Sequence, residues 1–253
     1  MKILRRWLGA FLFVVMCIPW NVGAQTKVVI AATDWAPYSG SRLLNGGFLS
    51  EITIAAFTKA GYDAKLIILP WKRAMEMTKE GKCDALLGAS YTKERTLFFS
   101  YPKYSWNNHV FFFVKKEKDM TYVTPEDFCP ARIGVFLGSF YADRFRKIGC
   151  LTVDEVSTIQ QNIKKLLSDR IDLFIDSKDA VDYYINKEFP DHKNDIKTVL
   201  PCYEIDKIYL VISKKIPKNA QMARDYDHGI KAIKADGSYH KIIEKHGIKP
   251  FQP

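Results

Sequence analysis

The chain has 253 residues, 47% apolar and 26% charged, with 38 Lys+Arg against 28 Asp+Glu for a formal net charge of +10. This is ordinary globular composition, which excludes disordered and collagen-like classes. The length suits one large domain or two lobes of about 100 residues each.

Lys2, Arg5 and Arg6 precede an apolar run from Leu8 to Ile18, and Val22-Gly23-Ala24 supplies small residues at the −3 and −1 positions of a cleavage site. That order predicts a secretory signal peptide over residues 1–24. The run breaks at Pro19, short of the roughly 20 apolar residues a spanning helix needs. Cys17 follows Val14-Val15-Met16 rather than the small residues of a lipidation site. Taking 24 from 253 leaves 229 residues, and losing three basic and no acidic residues lowers the charge from +10 to +7. Export removes nucleic acid from the expected partners, and no later apolar run is long enough to span a membrane.

Strands and helices then alternate. Lys27–Thr33 is a β-rich run, Gly46-Gly47 opens a helix over Phe48–Ala60, and Gly61 ends it. Ala64–Leu69 is a strand, Pro70 opens a helix to about Glu80, and Asp84–Ala89 is a short apolar strand. Short apolar strands separated by helices predict a parallel sheet buried on both faces, an α/β unit. After an aromatic run at His109–Lys115 and a turn at Thr124–Asp127, the same grammar restarts. Arg132–Phe136, Leu151–Val156 and Ile171–Ile175 read as strands, with helices over Phe140–Ile148 and Ile159–Ser168 between them. Lys207–Ser213 is the last predicted strand, and helices follow over Asn219–Ala235 and Ser238–His246, broken at Asp236-Gly237.

The two halves align. Residues 79–90 (KEGKCDALLGAS) and 167–177 (LSDRIDLFIDS) both run from a helix end through a basic residue and an Asp to an apolar strand with a Ser-containing exit. On that reading Asp84 and Asp172 start equivalent strands in two similar α/β lobes, although helix, turn and buried strand form a generic sequence of elements. Four cysteines remain after residue 24, and an oxidising compartment permits disulfides. Cys129 precedes a predicted strand and Cys150 ends the helix after it, so these two are the expected pair; Cys83 and Cys202 are either free or bonded. The five histidines show no ligand spacing, and neither C-x-x-C nor H-E-x-x-H occurs, so no metal or other cofactor is expected.

Ligands of open parallel sheets bind beyond the carboxyl ends of the strands. The exits here are Asp34-Trp35-Ala36-Pro37-Tyr38, Pro70-Trp71-Lys72-Arg73, Ser90 to Arg95, Gly138-Ser139-Phe140 and Asp176-Ser177. Trp35 and Trp71 fall at such exits and Trp106 lies where the chain leaves the first lobe, a grouping that favours a stacking site over scattered core positions. Arg95, beside Ser90 and Thr92, offers a guanidinium fork for a carboxylate. Asp176 is placed either to hold an ammonium or to cap the following helix. An anion clamp from one lobe and a cation clamp from the other suit a zwitterion such as an amino acid.

Taken in order, WAPY (35–38), GFLSEI (47–52), Trp71 with EGKCDALLGAS (80–90), TKER (92–95), SYP (100–102), GVFLGSF (134–140), SDRIDLFIDS (168–177) and DGSYHKIIEKHG (236–247) resemble the family 3 extracellular solute-binding proteins. The resemblance implies a two-lobed type II periplasmic binding fold with two hinge crossings, here near Trp106–Asn108 and Cys202–Lys207. Residues 25–106 with 213–253 would form one lobe and 107–212 the other. It implies a binding protein rather than an enzyme, capturing a small polar ligand, an amino acid or related carboxylate, as a monomer that serves an inner-membrane ABC permease. By position, Trp35 and Trp71 correspond to aromatic walls, Ser90, Thr92, Arg95 and Ser139 to the carboxylate site, and Asp176 to the ammonium partner. Asp34, Tyr38, Arg73 and Phe140 are further candidates. The exit at Gly88-Ala89-Ser90 is one residue shorter than the family's common serine-rich exit, and Phe140 stands where a hydroxyl residue is frequent. A periplasmic dehydratase and a ligand-sensing receptor are the competing functional readings.

Overall fold

A computed structural model describes residues 25–248, so the signal peptide expected over residues 1–24 lies outside the described residues. In chain order the main elements are β1 (Thr26–Ala32), α1 (Phe48–Lys59), β2 (Tyr62–Ile68), α2 (Trp71–Lys79), β3 (Ala85–Ser90), β4 (Phe99–Ser100) and β5 (Trp106–Lys115). They continue with β6 (Arg132–Phe136), α3 (Phe140–Arg146), β7 (Thr152–Val156), α4 (Ile159–Leu167), β8 (Leu173–Ser177), α5 (Lys178–Glu188), β9 (Ile196–Ser213), α6 (Asn219–Ala235) and α7 (Ser238–Lys245).

The strands hydrogen-bond in the order β2-β1-β3-β9-β5-β8-β6-β7, with β4 also on β9. In one half β1 lies parallel between β2 and β3; in the other β6 lies parallel between β7 and β8. The antiparallel strands β5 and β9 join the halves, making a two-lobed α/β fold with two crossings. Each half is apolar on both faces: one cluster runs under α1 and α6 and continues under α4 and α5, and separate clusters lie beneath α2 and α3. Strands covered on both sides need continuous apolar runs, which is why β3 reads Ala-Leu-Leu and β8 reads Leu-Phe-Ile. Where α6 crosses α1, a Cβ at Gly229 would stand 2.0 Å from the Ala56 carbonyl oxygen, so the close approach requires glycine.

The two halves share a polar detail as well. Asp84 Oδ2 accepts the Val29 amide at 2.7 Å while its own amide donates to the Val29 carbonyl. Asp172 makes the same pair of bonds with Arg132, its Oδ2 accepting the amide at 2.8 Å. Each carboxylate satisfies a backbone donor at the start of the third strand of its parallel trio, where the ladder has not yet begun. Asp172 adds a fork from the Arg132 guanidinium, at 3.0 and 2.8 Å.

Several strands differ from the sequence expectation: β2 and β5 begin earlier, at Tyr62 and Trp106, and β9 and β8 depart further in kind. β9 starts at Ile196, not Lys207, and its first part pairs with β5. The pairing jumps from Val110↔Glu204 to Phe112↔Val199, leaving Leu200 to Tyr203 opposite Phe111 alone. That bulge, with Pro201 in it, interrupts the alternation that would have revealed the strand. β8 is displaced by two residues to Leu173–Ser177, because Asp172 is spent on Arg132 and the β5 register runs out to Val110↔Ser177. The helix expected over Phe140–Ile148 closes at Arg146. Cys129 and Cys150 are disulfide-bonded with Cα atoms 5.5 Å apart, and Cys83 and Cys202 are free.

Candidate functional site

The exits of β1, β3, β6 and β8 converge with β5 and β9 on a cavity of about 450 Å³ between the halves. Trp35 follows β1 in a tight turn closed by paired bonds with Ser39, at 2.8 and 3.0 Å, which fixes the ring direction. The ring lies over Gly88, whose φ of +90° accompanies a shift in the β3–β9 register between Leu87 and Ala89. A Cβ at Gly88 would be strained by that φ and would sit 3.6 Å from the indole. The Gly88-Ala89 exit thus gives the aromatic wall its floor. Trp71 opens α2 immediately after Pro70, and the Arg95 guanidinium lies 5.6 Å from its ring centroid, within cation–π range.

Arg95 is positioned by its own loop. Its amide donates to Thr92 Oγ1 at 3.2 Å, and its guanidinium donates to the Ser90 carbonyl at 2.9 Å, as does the Tyr101 hydroxyl at 3.2 Å. Burial lowers the guanidinium pKa, opposed by the charges of Tyr101, Asp206 and Glu94, yet an arginine stays protonated. In the other half, Asp176 is the penultimate residue of β8, and Ser177, which ends the strand, is the N-cap residue of α5. Burial pushes the Asp176 carboxyl up to about 7, against hydrogen bonds from the Ser177 amide at 2.7 Å and from the Trp35 side chain.

Of the sequence candidates, Trp35, Trp71, Ser90, Arg95, Ser139 and Asp176 all line the cavity, joined by Asp34 and Phe140. Thr92 is not on the wall and instead supports Arg95 from behind. Tyr38 is 1% exposed and bonds to Asn108, Ser177 and Asp179, so it ties the halves together below the cavity. Arg73 is exposed on α2, away from the wall. Ser139 Oγ is buried and has no hydrogen-bond partner among the described residues.

Among the wall residues that escaped the sequence reading are Asp206 and Tyr141. Asp206 in β9 accepts the Ser90 hydroxyl at 2.6 Å, and burial, reinforced by Glu204, lifts its carboxyl to about 6 against Ser90, Arg95 and Arg144. Tyr141 in α3 presents a buried hydroxyl that also lacks a partner, its pKa raised first by burial and then by Asp206 and Glu204. Asp206 belongs to a hinge strand rather than a strand exit, which is where the search for ligand groups began. Its signal is periodic: Glu204 and Asp206 occupy the same alternate positions as the buried Ile208, Leu210 and Ile212. Among the described residues no group of three or more His, Cys, Asp or Glu is placed to hold a metal ion, and no helix is long and apolar enough to cross a membrane.

Residues 28–249 match the bacterial extracellular solute-binding proteins, family 3, and the chain belongs to that family. No curated protein sequence gives a significant match. Among solved structures, a histidine kinase sensor domain with similarity to periplasmic binding proteins superposes with a TM-score of 0.78 at 16% identity, over 90% of this chain and 99% of that one. A structure from work on glutathione import in Gram-positive bacteria via GshT and the cystine ABC importer TcyBC of Streptococcus mutans gives 0.77 at 18% identity, over 91% and 98%. The amino acid ABC transporter substrate-binding protein AbpA from Streptococcus pneumoniae, bound to L-arginine, gives 0.72 at 21%, over 88% and 97%. The fold is the type II periplasmic binding fold, and the chain is a solute-binding protein.

Proposed function

We propose that the cavity captures an α-amino acid by closure of the two lobes, for delivery to an inner-membrane ABC permease. The observation that carries this reading is that Arg95 from one half and Asp176 from the other line one aromatic-lined cavity. Arg95 takes the α-carboxylate in a bidentate fork, Asp176 takes the α-ammonium, and Ser139 Oγ, buried and unpartnered, donates to the same carboxylate. Trp35 and Trp71 cover the side chain. Closure hinges on β5 and β9, moving residues 25–106 and the C-terminal segment against the rest. A moving first lobe made of residues 25–106 and 213–253 is supported by the pairing of the end of β9, Ile208–Ile212, with β3. The protein works in the periplasm after loss of residues 1–24, as a monomer, and releases its ligand chemically unchanged. The amino-acid-binding and importer-linked structures of the same fold support this assignment.

A thermal-shift screen with amino acids, small peptides and organic acids tests it. Ligand at 100 times its dissociation constant adds about 2.7 kcal/mol, and each kcal/mol raises Tm by about 2–4 °C in a chain of this size. No shift with any amino acid removes the reading. The similarity to a kinase sensor domain favours a second use of the same site, presentation of the ligand to a membrane receptor. Loss of amino acid uptake on deletion of the gene supports the importer role, whereas intact uptake with a lost ligand response supports the sensor.

A further inference from the structure

Among the described residues seven charged ones line the cavity, and four of them, Asp34, Arg42, Lys187 and Glu188, are exposed. The interior holds the remaining three: Arg95, Asp176 and Asp206. Two carboxyl groups therefore face one guanidinium. A zwitterionic ligand satisfies Arg95 and Asp176 and leaves Asp206 over, and a buried unpaired carboxylate costs several kcal/mol.

Among the described residues no ion pair is made to it, although the charges of Arg95 and Arg144 favour its ionised form from a distance. Ser90 supplies a neutral hydroxyl at 2.6 Å. Arg144, the other cation on that side, is held by Glu204 at 2.8 Å and by the Tyr203 hydroxyl at 3.1 Å. Beside Asp206 stands the buried Tyr141 hydroxyl, an acceptor and donor with no partner among the described residues. A carboxylate and an unsatisfied hydroxyl on one apolar-walled cavity suit a group that is cationic and donates several hydrogen bonds. Phe140 and Tyr141, with centroids 4.1 Å apart, already carry one guanidinium, that of Arg144 at 5.3 and 6.0 Å from the two rings, so this aromatic pair is of the kind on which a cation rests.

We infer that Asp206 and Tyr141 form a second cation subsite, so that the ligand is an amino acid with a positively charged side chain rather than a neutral or acidic one. The inference rests on the amino-acid reading of the cavity above. It assigns side-chain selectivity to a hinge strand: Asp206 sits opposite Asn108 of β5 in the ladder, where the two crossings meet. Filling the subsite thereby engages a crossing strand along with Arg95 of one lobe and Asp176 of the other.

Isothermal titration of the mature chain with L-arginine and with L-citrulline, its neutral near-isostere, tests the subsite, with L-lysine and L-glutamate as further probes. The expected result is binding of L-arginine or L-lysine at least tenfold tighter than L-citrulline and L-glutamate. Asp206→Asn should weaken the cationic ligand by 30-fold or more while citrulline stays within about threefold, and Tyr141→Phe should show the same selectivity loss at smaller size. A melting curve for each variant establishes that it is folded. Equal affinities for arginine and citrulline, or equal weakening of both by Asp206→Asn, overturn the subsite while leaving an amino-acid-binding protein. Absence of binding by every amino acid, cationic, neutral or acidic, overturns the parent reading and this one with it.

Discussion

The Tyr38 hydroxyl lies 2.8 Å from Ser177 Oγ, joining the loop after β1 to the start of α5 across the two halves. The single hydrogen of the same hydroxyl has two acceptors within reach, Asn108 Oδ1 at 3.2 Å and Asp179 Oδ2 at 3.0 Å. Directly above it, the Trp35 ring stands at a centroid distance of 4.3 Å and contacts Asp176. The turn carrying both aromatics thus works at two levels: Trp35 lines the cavity and Tyr38 bonds across the two halves.

Tyr38→Phe keeps the ring and deletes the fastening. Burying Ser177, Asn108 and Asp179 without that hydroxyl should cost about 1–3 kcal/mol, the penalty for stranding buried polar partners. The expected result is a Tm lower by several degrees, with the dissociation constant changed less than by loss of a wall residue. Differential scanning fluorimetry with titration calorimetry separates the two effects. An unchanged melting point would remove Tyr38 as a tie.

Arg95→Ala should leave the fold intact and abolish the carboxylate fork. Losing one partner of a buried charge pair costs about 2–5 kcal/mol, or roughly 30-fold to several thousand-fold in affinity. Arg95→Lys should recover only a fraction of this, because an ammonium cannot reproduce the planar fork. Titration with the tightest-binding amino acid gives the ratio, and an unchanged dissociation constant takes Arg95 out of the site.

How much of this was legible in the sequence follows from what each residue does. Asp84 and Asp172 could be matched because both stand just before an apolar strand, and in both the carboxylate bonds the amide of a neighbouring strand. The cavity residues at parallel-strand exits were legible for a topological reason, since such exits gather at one crevice. Tyr38 was ambiguous because an aromatic at an exit serves a wall or a tie equally well. Asp206 was hidden because the bulge at Leu200–Tyr203 masks the continuity of β9, so the acid looked like part of a linker. Only the register of β9 against β5 and β3 turns it inward.

The disulfide closes a loop between residues 129 and 150, a separation of 21. On the chain-entropy account a loop of that length contributes about 3 kcal/mol. Cys129→Ser with Cys150→Ser should lower Tm by several degrees, and reductant should do the same to the wild type but nothing further to the double variant. Cys83 is buried and Cys202 half-buried, their thiol pKa values pushed up chiefly by burial, so thiol reagents should label both slowly until the chain unfolds.

The two interior carboxyls make the cavity sensitive to pH. Burial is the main cause in both, lifting Asp176 to about 7 and Asp206 to about 6, whereas an unfolded aspartate titrates near about 3.9. The folded chain therefore holds protons that the unfolded chain has released, and folding stability falls as pH rises from about 4 through about 7. The contribution is complete below the unfolded value and lost above the folded ones. Asp176→Asn and Asp206→Asn should each raise the Tm of the unliganded protein at pH 8, by about 2–4 °C for a gain on the order of 1 kcal/mol, and change it little at pH 4. Binding runs the other way. A cationic ligand needs the ionised carboxylates, so affinity should rise from pH 5 to pH 8 and level off once both groups are charged. Around Asp206 the groups that set this profile are Ser90, Glu204, Arg95, Arg144 and Tyr141; around Asp176 they are the Ser177 amide and Trp35. Melting curves of wild type and both variants at pH 5 and pH 8, with and without L-arginine, measure the two opposite slopes. If the unliganded variants gain nothing at pH 8, the two carboxyls are already compensated within the folded chain.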